Sequence, residues 1–147
     1  MTDASTFPSE EWFRALADEM HGDPGSFESL GSIDCTMVVQ VDDSADQDLF
    51  EVKFKSYGVE SVRRLASLEE AGPDHFSIGA TLETWREMID NIISNGQPDL
   101  EHTLNFLTFP DVPMLVDGPD QQQIDAFFRY NQSLQRFFNG AAKVAAQ

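Results

Sequence analysis

The chain has 147 residues, a length that fits one domain and can bury a core without disulfides or structural metals. Hydrophobic residues make up 41% and charged residues 24%, but nine Lys+Arg stand against 26 Asp+Glu, a formal net charge of -17. Such a surface repels phosphate backbones and anionic membranes, so no nucleic-acid partner is expected; solubility or a salt-rich habitat is the plain reading of the charge.

In chain order, residues 1–7 read as a leader. The start, MTDASTFPSEEW, has no basic stretch and no apolar run, so a signal peptide is not expected. Ser9 is placed to cap a helix whose first turn holds Glu10 and Glu11, and Trp12, Phe13, Leu16 and Met20 share its apolar face. Gly22-Asp23-Pro24-Gly25 ends it, and a short helical turn around Phe27 and Leu30 follows. CTMVVQV alternates as a strand, with Cys35, the only cysteine, as a buried thiol. DDSADQD reads as an acidic turn, and LFEVKFK as the second arm of an antiparallel hairpin, with Phe50, Val52 and Phe54 on one face. After Tyr57-Gly58, VESVRRLASL is compatible with helix or strand and is read as a third strand.

DHFSIGATL is a further strand, with Phe76, Ile78 and Ala80 on one face and His75, Ser77 and Gly79 on the other. It runs directly into TLETWREMIDNIISNGQPDL. There Trp85, Met88, Ile89 and Ile92 form a helical stripe, Thr81 or Thr84 caps the start, and Asn95-Gly96 suits a left-handed end. A short helix is expected over 100–107. A short strand over 112–116 is confined by Pro113 to an edge. Asp120 opens a single last helix carrying Ile124, Phe127, Phe128, Leu134, Phe137 and Phe138, and 141–147 reads as a tail. The order predicts one α+β domain over 1–147, with a mostly antiparallel sheet covered on one face by helices. No apolar run reaches the ~18 residues that span a bilayer, so stable membrane insertion is not expected and the simplest address is the cytoplasm.

Over residues 33–138 this arrangement resembles the sterol carrier protein 2-like (SCP-2) domain. DHFSIGATL leading into the Trp helix, VPMLVDGP, and the closing QQIDAFFRYNQSLQRFF carry the likeness. LEHTLNFLTFPD after the Trp helix and the acidic DDSADQD depart from the family pattern. The resemblance implies a five-stranded sheet and, between it and the helices, a hydrophobic tunnel for a lipid or other apolar small molecule. It also implies a mostly non-catalytic role, without cofactor or metal. Phe54, Phe76, Trp85, Ile89, Ile92, Met114, Phe127, Phe128 and Phe138 are the residues expected at that ligand.

Each of these residues also fits plain core. Phe106, Phe109, Phe127, Phe128 and Phe137 cannot all point inward on such small elements, so some line a cavity or an interface. A homodimer or an accessory subunit with a Phe-rich surface is therefore a rival reading. An isomerase, cyclase or hydratase acting on a polyketide, steroid or terpenoid is another. It would need a buried acid/base pair, for which Asp74, His75, Asp90 and Tyr57 are the candidates. No GxSxG, GxxxxGK or GxGxxG motif occurs, and His21, His75 and His102 have no ligand spacing. The acidic run 42–48 lacks the glycine and closing glutamate of a calcium loop.

Overall fold

A computed structural model describes residues 7–43, 46–108 and 113–145. Helix α1, Glu10–His21, starts where the Ser9 hydroxyl accepts from the Trp12 N–H at 3.0 Å, and it buries Trp12, Phe13, Leu16 and Met20. Phe7 sits against Trp12, with ring centroids 4.9 Å apart, so the expected leader ends in a core residue. After the short α2, Pro24–Glu28, come strands β1, Cys35–Asp43, β2, Asp46–Lys55, and β3, Gly58–Leu65. The acidic segment is mostly ladder rather than turn, because Asp42 pairs with Gln47 and Asp43 with Asp46. Its two central residues, 44 and 45, lie outside the described residues.

β4, Phe76–Thr81, passes straight into α3, Leu82–Asn95. Thr81 caps that helix, and Gly96 ends it at a φ of 80°, a backbone conformation that suits glycine. A 3-10 turn at Leu100–His102, the short α4 at Leu104–Leu107, and edge strand β5 at Leu115–Asp117 follow. Phe109 and the start of the expected strand at Val112 lie outside the described residues. The single closing helix is two, α5, Gln121–Arg129, and α6, Asn131–Asn139, broken at Tyr130. The expected tail forms a further helix, α7, Ala141–Ala145. Ala141 and Val144 bury the apolar positions of that turn, and α7 packs on α3 and α1.

The sheet runs β3-β2-β1-β4-β5. Three of its pairings are antiparallel; β1 and β4 are parallel. That pair forces a crossover, and residues 66–75 make it across the outer face, where Ala71 packs on Val38, Leu49 and Leu65. Arg63 fastens the crossover: its Nη2 donates to the Glu70 carbonyl at 2.8 Å, while its Nε meets the buried Glu51 carboxylate at 2.8 Å. The inner face carries Met37, Val39, Phe50, Val52, Phe76 and Ile78, and the helices cover it. The α+β fold with a mostly antiparallel five-stranded sheet is thus as the sequence predicts.

Candidate functional site

Eight of the nine residues expected at a ligand lie in one continuous core cluster, none more than 4% exposed. α3 brings Trp85, Ile89 and Ile92 down onto the sheet, since their spacing puts them on one side of the helix. The indole Nε1–H donates to the Gln40 carbonyl at 2.9 Å, and the ring lies 5.7 Å from Phe138. Phe54 meets Phe137 edge-on at 5.1 Å, and Phe76 meets Phe127 at 5.8 Å. Such ring pairs add about 0.5–1.5 kcal/mol beyond area burial. Phe128 departs from the set: it follows Phe127 on α5 but turns outward, 52% exposed.

Phe128 stands at a surface pocket of about 480 Å³ where α5 breaks into α6. Leu30, Tyr130, Arg129 and Asn131 share this mouth. The Asn131 amide nitrogen is buried there without a partner among the described residues. Composition could not find this place, because neither Gly nor Pro marks the break at Tyr130.

A wider groove of about 650 Å³ runs along the outer side of α3, lined by Arg86, Glu83, Glu87, Asp90 and His102. His102 bridges two elements here. Its Nδ1 is 2.6 Å from Asp99 and its Nε2 is 2.9 Å from Glu87. The hydrogen bond to Asp99 raises the imidazole above its ordinary value, with Glu87 adding to it and burial opposing it. The same bond holds Asp99 below the usual carboxylate value. This bridge is not among the sequence expectations: Asp99 lies three residues before His102, and Glu87 comes from α3.

A pH dependence follows. The raised His102 contributes stability in full below its unfolded value, and that contribution is lost as pH rises through the folded value. The lowered Asp99 contributes above its unfolded value, and that is lost as pH falls through its folded value. Both contributions are complete between roughly pH 4 and 6.5. The gap in thermal midpoint between the wild type and His102→Gln is therefore expected to be widest in that interval and to narrow above neutrality. A gap that stays constant from pH 5 to 9 would show that the bridge does not titrate there.

The four acid/base candidates do not converge. Tyr57 is 41% exposed, Asp74 lines a pocket beside Cys35, His75 lies in another, and Asp90 lies in the α3 groove. Burial, and then Asp34, push the Cys35 thiol up to about 12, so it is not a ready nucleophile. Among the described residues no three His, Cys, Asp or Glu side chains gather as a metal site, and no helix is long and apolar enough to cross a membrane. No family model, curated protein or solved structure matches the chain.

Proposed function

We propose that the chain is a binding domain for an apolar small molecule, held in the aromatic layer between the inner face of the sheet and helices α3, α5 and α6. This is the role that the SCP-2-like resemblance implies. The observation that supports it is the ring pair on α5. Phe127 and Phe128 lie 5.0 Å apart, yet one ring seals Phe76 and the other projects into solvent. The half-exposed Phe128 ring stands at the pocket mouth, where an apolar guest would meet it first. α5 rests on β4 and the edge strand β5, and the break at Tyr130 gives it a hinge. Rolling α5 outward uncovers Phe76 and Phe127, and an apolar guest replaces Phe127 at about 25 cal/mol per Å² of apolar surface removed from water. Arg129 and Asn131 at the mouth supply donors for a polar end of that guest.

The test is native mass spectrometry of the purified protein, before and after organic extraction. An extractable apolar molecule is expected. Phe128→Asp, which alters a half-exposed ring and leaves the core intact, is expected to abolish it. A folded protein that carries nothing and takes up no pyrene-labelled fatty acid would overturn the reading. A doubled mass lost in Phe128→Asp would assign that ring to a dimer contact instead.

A further inference from the structure

The outer face of the sheet carries a second place of interest. In register across the five strands, Arg63, Glu51, Val38, Ser77 and Asp117 form one row. At the β3 end the row is satisfied, because Arg63 neutralises the buried Glu51. At the β5 end it opens into a pocket of about 290 Å³ between the crossover segment and the turn after β5. Leu68 and Pro119 give it apolar walls; His75, Ser77, Asp117 and Glu69 supply its polar side chains.

Two of these groups are buried and under-used. His75 and Ser77 are each 5% exposed. The His75 Nδ1 lies 2.8 Å from the Gly72 carbonyl. A carbonyl only accepts, so Nδ1 donates to it and Nε2 is left for another partner. Neither that Nε2 nor the Ser77 hydroxyl has a hydrogen-bond partner among the described residues. Both side chains line the pocket, so a guest there can complete their bonding.

We propose that this pocket binds a small organic cation: a primary ammonium or amidinium on a compact apolar body. Its polar side chains are two carboxylates, Glu69 and Asp117, the Ser77 hydroxyl and the His75 imidazole, with no Lys or Arg. The Asp117 Oδ1 already accepts from the Gly118 N–H at 2.8 Å, and its second oxygen is left for the cation. Ser77 lies opposite Asp117 in the ladder and lines the same pocket. The apolar body lies on Leu68 and Pro119. A net charge of -17 steers cations toward the surface and anions away. The pocket lies on the face of the sheet opposite the aromatic layer, so it stands or falls independently of the carrier role.

The probe is benzylamine, matched against benzoate and followed by NMR at the backbone amides of Ser77 and Gly118 in 0.15 M salt. Saturable shifts are expected with benzylamine and none with benzoate. Ser77→Ala and His75→Gln, each checked for folding by circular dichroism, are expected to weaken benzylamine at least ten-fold. Affinity unchanged in a folded Ser77→Ala protein overturns the proposal. So does a matching response to benzoate, or a non-saturating shift spread over all the acidic residues, the mark of general charge attraction.

Discussion

Trp85→Ala is expected to destabilise the protein by about 3–5 kcal/mol, read as a lower urea midpoint with an unchanged denaturant slope. The indole is fully buried, lies against Phe138 and Phe7, and satisfies the Gln40 carbonyl. Truncation removes the buried indole and its hydrogen bond to that carbonyl. Trp85→Phe retains most of the packing and loses the donor, for an expected cost of about 1–2 kcal/mol. Phe128→Ala is the contrast, expected within about 0.5 kcal/mol because the ring is half outside. A change below about 1 kcal/mol for Trp85→Ala would mean that the layer is not packed around the indole.

Val144→Asp is expected to lower stability by about 3 kcal/mol, combining lost burial of a valine with the desolvation of a carboxylate. Val144 is 5% exposed and holds α7 against α3 and α1. Lys143→Ala on the same turn removes an exposed side chain and is expected to leave the urea midpoint nearly unchanged. A Val144→Asp protein with the wild-type midpoint would show that α7 does not dock.

The elements that can be read from the sequence are those where several local signals agree. Ser9 and Thr81 cap helices whose apolar stripes begin directly after them, and Gly96 closes α3. β2 and β4 alternate cleanly. The break at Tyr130 is hidden because the apolar stripe runs on through Leu134, Phe137 and Phe138 without a breaker residue. α7 is hidden because AAKVA spans barely more than one turn, too short for a periodic signal.

For the sites, residue type carried less still. Phe127 and Phe128 are identical letters with opposite surroundings, decided by one helical step of about 100°. The His102 bridge needs Glu87 brought to Asp99 by the turn after α3. The outer pocket needs Ser77 set opposite Asp117, and it needs the crossover laid over the sheet. Both are long-range facts of topology. The Trp85 stripe, by contrast, follows from spacing alone.

The parallel pairing of β1 with β4, roofed by helices that come last, has a consequence for the chain while it is being made. β1 through β4 can assemble early, by a hairpin extended at one edge and a crossover to the other. α1, made first, can cover Phe50 through Phe13, but Phe76 at the other side of the inner face stays uncovered until α5 emerges and Phe127 closes on it. From Ala80 to Phe127, synthesis at roughly 5–20 residues per second leaves that part of the aromatic face bare for about 2–9 s. The nascent sheet is therefore an adhesive intermediate. The yield of soluble protein in a cell is set by what shields it during those seconds, as well as by the stability of the finished fold.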